Sequence, residues 1–431
     1  MLDFVALREN ANERFDRQIR RRIAERSWRM ASEVGLRGEF TFTPQEKVIF
    51  GKGALGRIDS EVDRLGGKRV FIITGRTIAT KTDIVEQVKR ILRARFAGMF
   101  FPVSQHVPRR DVLSAALQAR EAKADLLISL GGGSPVDGTK AVALCLSEGV
   151  VSEDRLEVYR VRGSRGIRAT PPLLRGDPIP HIAVTTTLSA GEFTSGFGIT
   201  DEKRRVKEVY GAPPFVPSVV VLDPEITVYT PLWLWAATGM RAVDHAVEML
   251  YSPQHQPLVD TLCIQALRYL FQNLLPSIRN SRDLQSRIQC QLAAWMSIFG
   301  ALNVRTGISH AIGHQLGGHC NVPHGQTSCI MLPHSMHFNM PVAAGRLALV
   351  GEAAGIETRN LAVEDAARAG IKRLREFIKD LGCPTRLRDV GVQESDLLPL
   401  AKAVMEEVPL IQNPRPIQEI DEILEMLRGA W

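Results

Sequence analysis

The sequence predicts two folded units, an α/β domain built on parallel strands over residues 39–226 and an all-α domain over 227–431, preceded by a helical extension over 1–38. Three observations lead there. Short β-branched runs, RVFIIT at Arg69–Thr74, DLLISL at Asp125–Leu130, Ile182–Val184 and SVVVL at Ser218–Leu222, alternate with amphipathic stretches. That alternation is the pattern of parallel strands joined by crossovers. After about residue 227 apolar residues recur at three- and four-residue spacing, which is helical. Finally, 431 residues exceed a single typical domain.

Residues 1–38 carry the ladder Phe15, Ile19, Ile23, flanked by Arg17, Arg20, Arg21 and Arg22. This predicts a helix too narrow to fold alone, which packs on the body or on a neighbouring subunit. Glu39–Thr43 alternates like a strand and Lys47–Gly51 (KVIFG) reads as another, together a hairpin. Helices are expected over Thr82–Phe96 and Asp111–Lys123, with a short extended stretch at Gly98–Val103. Residues 150–180, rich in Arg, Gly and Pro, predict a surface loop carrying one extended piece. In the second unit the helices fall at Leu232–Leu250, Leu258–Leu274, Leu284–Leu302 and Val363–Leu381, with a last one through Ile417, Ile420, Ile423, Leu424 and Leu427.

The formal charge is +7, of which residues 1–38 hold +3, from nine Arg against six acidic residues. Acids interleaved with the arginines mark a solvated amphipathic helix rather than a nucleic-acid arm, and no aromatic-plus-basic pattern suits single strands. No apolar run approaches the roughly 20 residues that cross a bilayer. The interleaved charges also predict neither a signal nor a transit peptide. Six scattered cysteines without a C-x-x-C pair read as reduced thiols, so a cytoplasmic protein is expected, binding neither nucleic acid nor membrane.

Chemistry concentrates in four places. Gly131-Gly132-Gly133-Ser134 follows a buried strand and precedes Asp137-Gly138-Thr139-Lys140, a phosphate-cradle layout that a plain tight turn would also explain. TTTLSAGE at Thr185–Glu192 lies at another strand's carboxyl end, where hydroxyls bond a nucleotide or cap a helix. GMRAVDHAVEMLY at Gly239–Tyr251 puts Arg241 and His245 on one helical face, with Asp244 about 100° from His245. Glu248, three residues beyond His245, either bonds that ring or sits in solvent. Lastly, GISHAIGHQLGGHCNVPHGQTSCIMLPHSMHFN at Gly307–Asn339 holds six of the ten histidines. Imidazoles at that density suit a metal or acid–base work better than a set of surface and capping residues.

In that order, GGGSPVDGTK, TTTLSAGEFT, DPEIT, GMRAVDHAVE, PHGQT and LPHSMHFN resemble the iron-containing (group III) alcohol dehydrogenase superfamily, from about Phe40 to the C-terminus. The resemblance implies a Rossmann-like dinucleotide-binding domain plus a helical domain, the dehydroquinate synthase-like architecture. It also implies hydride transfer between NADH or NADPH and a small-molecule substrate in the cleft between them, commonly in a homodimer. The pyrophosphate loop maps onto Gly131, Gly132, Gly133 and Ser134, with Asp137 and Lys140 in the next helix. Further cofactor contacts map onto Thr186, Thr187 and Lys207. Gly75-Arg76 stands where many relatives carry an Asp that would repel a 2′-phosphate, so both cofactors are accommodated.

Metal-dependent members hold Fe or Zn with one Asp and three His. The histidines match His245, His310 and His324, but the Asp position, four residues before His245, is Arg241. A guanidinium cannot ligate a cation and repels one, and Asp244 faces elsewhere, so a metal-free site is expected. The maleylacetate reductase branch likewise lacks that Asp. Similar to it are the four residues between Thr187 and Glu192 and the triplet Leu316-Gly317-Gly318, whereas the N-terminal extension, the long 150–180 loop and Arg at 241 depart from it. The implied activity is NAD(P)H-dependent reduction of a carboxylate-bearing unsaturated or keto substrate. Arg241 supplies the positive charge, His245, His310, His314 and His324 the polar floor, and His314 or His245 the proton. A metal-dependent alcohol or aldehyde dehydrogenase and a non-redox cyclase or lyase using bound NAD are the alternatives. His319, His334 and His337 match no ligand position and are expected to be structural.

Overall fold

In chain order the strands are β1 (Lys47–Phe50), β2 (Val70–Thr74), β3 (Phe96–Phe100), β4 (Leu126–Gly131), β5 (Arg162–Ser164), β6 (Ile167–Thr170), β7 (His181–Thr185), β8 (Gly196–Asp201), β9 (Val206–Gly211) and β10 (Val219–Leu222). The computed structural model describes residues 38–431 except 165, 166, 171 and 205, so the helix expected over 1–38 lies outside the described residues but for its last position. Six strands make one parallel sheet in the order β1-β10-β7-β4-β2-β3. Every residue of β2, β4, β7 and β10 is buried, because crossover helices cover both faces of a parallel sheet. Helices α1 (Ile58–Arg64), α2 (Arg76–Lys81) and α3 (Ile84–Leu92) pack on one face. On the other lie α4 (Arg109–Glu121) and α5 (Gly133–Ser147), through Val112, Ala115, Ala116, Val142 and Cys145.

The strand order matters for function. From β2 the chain runs outward to β3, then returns to β4 and continues the opposite way to β7 and β10. The winding therefore reverses between β2 and β4, and a crevice opens at their carboxyl ends, where open α/β sheets bind ligands.

Beyond α6 (Glu153–Glu157) and β10, the chain is helical: α7 (Pro224–Thr227), α8 (Leu232–Tyr251), α9 (Pro257–Arg279), α10 (Leu284–Ile298), α11 (Ile308–Cys320), α12 (His324–Ala353), α13 (Val363–Asp380), α14 (Leu397–Val404) and α15 (Ile420–Ala430). Helix α8 is buried from Trp235 to Tyr251, and it shares one core with Ala183, Val220 and Leu222 of the sheet. Trp235 anchors it, donating its indole N–H to Ser277 Oγ (2.9 Å) under the Arg287 guanidinium, 4.5 Å from the ring. This packing brings Arg241 and His245 to the sheet's ligand edge. Among the described residues no helix is long and apolar enough to cross a membrane.

Three expectations fail locally, and one element goes unforeseen. The hairpin at 39–51 does not form: β1 pairs in parallel with β10, while Thr41 exchanges N–H and C=O bonds with the Asn303 side chain (2.7 and 2.9 Å). Phe40 also stacks on Phe299, so a contact distant in sequence outcompetes the local strand pairing. The loop at 150–180 carries α6 and the β5–β6 hairpin rather than one extended piece. The β3 strand starts at Phe96 and ends before Val103. The antiparallel β8–β9 pair was not expected, because its charged turn DEKRR masks the alternation on either side.

Candidate active site

A cleft of about 730 Å³ runs from the β2/β4 crevice to helices α8, α11 and α12. The α/β side contributes Gly75, Gly131, Gly132, Gly133, Ser134, Asp137, Thr186, Thr187 and Lys207. The helical side contributes Arg241, His245, His314 and His324. The expected cofactor residues are thus brought to one surface, whereas His310 stands behind it.

At the sheet edge, Gly131 adopts φ +140°, a backbone that side chains rarely take, and turns β4 into α5. Gly132 is in ordinary backbone space, but a Cβ there would lie 2.9 Å from Thr187 Cγ2. With no side chains at 131–133, the amides at the start of the 15-residue α5 are open to an anion, and the helix dipole favours one. Asp137 Oδ2 accepts the Gly198 N–H at 3.2 Å and lies 3.9 Å from Lys207 Nζ. Gly198 makes that approach possible, since a Cβ would fall 2.0 Å from Lys207 Cε. Lys140, by contrast, points away from the cleft. It is fully buried and donates to the carbonyls of Gly191 (2.7 Å), Thr194 (2.7 Å) and Gly196 (3.0 Å), holding the 191–196 segment in place. Burial, opposed by Asp137 and Glu192, brings its ammonium down to about 8. Gly132→Ala is expected to raise Kd for NADH and NADPH roughly tenfold, the scale of one overpacked contact. Titration by cofactor fluorescence checks this, and in a Thr187→Ser background the loss should shrink; an unchanged Kd would remove Gly132 from the site.

At the other end, α8 presents Arg241 and His245 at i and i+4, α11 presents His310 and His314, and α12 begins at His324. The rings pair as His245 with His310 (centroids 5.1 Å) and His314 with His324 (5.5 Å). Burial, then the Arg241 charge, pushes His245, His310 and His324 well below the usual imidazole range, so all three are neutral near pH 7. Arg241 is 9% exposed and, among the described residues, bonds only through Nη1, to Ser328 Oγ (3.3 Å) and Asp244 Oδ2 (3.4 Å). Nε and Nη2 are left for a ligand.

Glu248 neither bonds His245 nor meets solvent. It is fully buried and accepts from Gly307 N–H (2.7 Å), Ser309 N–H (2.8 Å), the Tyr251 hydroxyl (2.7 Å) and His310 Nδ1 (2.6 Å). It therefore caps the first turn of α11 and fixes the His310 proton on Nδ1, leaving Nε2 as a buried lone pair. Asp244, expected to face elsewhere, sits directly behind Arg241. The sequence pattern gives no sign of Glu407, between α14 and α15, whose Oε2 lies 3.1 Å from His314 Nδ1 on the cleft wall. His106 lines the cleft as well, with φ +62° and its ring brought down to about 4 by burial and then Lys207. Local sequence marks neither residue. His319, expected to be structural, is an exposed part of the wall, whereas His334 and His337 lie off it.

The three histidines matched to metal ligands are not drawn to a common point. Among the described residues, the one group of potential ligand atoms all within 4.8 Å of one another is Asp244, Glu248 and His310. There Glu248 is saturated by four donors, and Asp244 Oδ2 already accepts from Ser309 Oγ (3.0 Å) and Ser328 Oγ (2.6 Å). His245 Nδ1, His310 Nε2 and His324 Nδ1 are each buried without a hydrogen-bond partner, and Arg241 sets a positive charge beside both groups.

Residues 44–224 match the family profile described as iron-containing alcohol dehydrogenase, and residues 235–431 match that of the Fe-containing alcohol dehydrogenase family, C-terminal. Lactaldehyde reductase of Escherichia coli strain K12 is 30% identical over 388 residues, 90% of this chain and 98% of that protein. Maleylacetate reductase of Pseudomonas sp. strain P51 is 30% identical over 389 residues, 89% and 95% respectively. The crystal structure of 1,3-propanediol oxidoreductase superposes with a TM-score of 0.84 at 28% identity, covering 91% of this chain and all of that one. Overall identity does not separate the two reductases, so the discriminating information is in the cleft.

Proposed function

Because the chain belongs to the iron-containing alcohol dehydrogenase family, and is thereby a nicotinamide-dependent oxidoreductase, we propose that it works without a metal, reducing a carboxylate-bearing unsaturated or keto substrate in the manner of a maleylacetate reductase. One observation carries the reading: Arg241, with Nε and Nη2 unengaged, lines the cleft where a metal-dependent relative would place its carboxylate ligand.

The glycine cradle and Thr186–Thr187 suit a dinucleotide, which when bound supplies hydride. Gly75 and Arg76 put no carboxylate at the end of β2, so NADPH is accepted along with NADH. At the helical end, Arg241 holds the substrate carboxylate in paired hydrogen bonds or meets the oxyanion that forms as hydride arrives. His245 and His324, neutral, exclude water and orient the substrate. His314 delivers the proton: its side chain is 33% exposed where His245 and His310 are buried, and Glu407 at its Nδ1 holds the ring in place on the cleft wall.

The decisive assay is NADH and NADPH oxidation across 4-oxo-2-enoates, keto acids and simple aldehydes, with and without EDTA. Turnover of the acids should be unaffected by EDTA and exceed that of the aldehydes. Activity confined to alcohols or aldehydes and abolished by EDTA would instead establish a metal-dependent dehydrogenase.

A further inference from the structure

We propose that Asp244 is the positioning residue for Arg241, so that the two form a single device, a cation aimed into the cleft and a carboxylate behind it. The inference rests on the reading of Arg241 as the group that meets an acidic substrate.

The two residues are one turn apart on α8, at i and i+3, so the backbone alone keeps them adjacent. Asp244 is fully buried and absent from the cleft wall, whereas Arg241 is on it. Their contact is closed into a triangle. Arg241 Nη1 reaches Asp244 Oδ2 directly at 3.4 Å and Ser328 Oγ at 3.3 Å, and Ser328 donates to the same Oδ2 at 2.6 Å. Ser309 Oγ from α11 adds a second donor at 3.0 Å, and His310 Nδ1 lies 3.8 Å away but spends its proton on Glu248. Asp244 is thus held by α11 and α12 while it holds Arg241. Only one terminal nitrogen is engaged, which leaves the guanidinium's other edge turned to the cleft.

Electrostatics gives the arrangement its purpose. A guanidinium this buried needs a counter-charge to stay in place, and a carboxylate on the cleft side would compete with the substrate. Placed behind, Asp244 offsets the cost of burying the cation without occupying the binding edge. Its other oxygen, Oδ1, is buried and makes no hydrogen bond, so the carboxylate is held through Oδ2 alone.

The test is a double-mutant cycle on the full-length enzyme, with Arg241→Ala, Asp244→Asn and the pair, using an acidic keto or enoate substrate. Asp244→Asn keeps the shape but removes the charge, and should raise KM about tenfold with a smaller change in kcat, while Kd for the cofactor stays near that of the parent; because it leaves Arg241 buried without its counter-charge, it should also lower the urea midpoint. In the Arg241→Ala background it should do nothing further. If Arg241→Ala itself leaves KM and kcat unchanged, the acidic-substrate reading falls. If Arg241→Ala acts but Asp244→Asn does not, or the two effects simply multiply, the pairing alone is overturned. Should Asp244→Asn fail to fold, Ser328→Ala opens one side of the triangle and is expected to raise KM in the same direction by a few-fold; an unchanged KM there overturns the pairing too.

Discussion

Arg241→Ala is expected to lower kcat/KM for the acidic substrate by about 100- to 1,000-fold, the scale of losing one preorganised charged donor in a water-excluded site. Where the loss appears identifies the partner. A fall in kcat places the guanidinium on the oxyanion, which exists only as hydride transfers. A rise in KM alone places it on a carboxylate bound equally in ground and transition states. The truncation leaves Asp244 buried without its cation, but burial already raises that carboxyl above its usual range, and losing Arg241 moves it further in the same direction, which softens the cost of the unpaired group. The fold should survive with a modestly lowered urea midpoint. Arg241→Lys keeps the charge but not the planar fork, and should recover only part of the activity. Full activity in Arg241→Ala would remove the residue from the chemistry.

Glu248→Ala is expected to be the most destabilising single change near the cleft, by about 4 kcal/mol, the order seen when one member of a buried charged network is removed. Four donors lose their acceptor at once: two amides in the first turn of α11, the Tyr251 hydroxyl and the His310 ring. Urea denaturation measures it, and a midpoint within error of the parent would show that water replaces the carboxylate. Glu248→Gln keeps an acceptor but brings an unwanted donor, so it should fall between. Because His310 stands behind the wall and not on it, activity of the folded Glu248→Gln protein should fall less than that of Arg241→Ala.

Much of the cofactor side is legible in the sequence itself. Gly131, Gly132 and Gly133 after a buried strand, and Thr186–Thr187 after another, act through backbone geometry set within a few residues, so their pattern survives in one dimension. Arg241 is legible for the opposite reason, as a residue of the wrong charge inside an otherwise recognisable segment. Lys140 shows the limit: its place beside the glycines suggests a phosphate contact, yet its ammonium is spent on three carbonyls more than fifty residues away. Glu407 and His106 have no local mark at all. One sits in an irregular connection 93 residues from its histidine, the other on a turn whose left-handed backbone no composition rule predicts.

The sequence by itself determined the two-part α/β and helical construction, the family and the identity of the groups along the cleft, because hydrophobic periodicity and glycine-dependent turns are short-range properties. Only the tertiary structure decided how the charged groups divide. Asp244 and Glu248 are one helical turn apart, and nothing local distinguishes them. Packing of α11 and α12 against α8 turns one into the backing of a cation and the other into the cap of a helix. The physical reason is burial: once these carboxylates leave water, each must be satisfied by whichever donors the fold brings within reach, and that choice is made by helices that meet only in three dimensions.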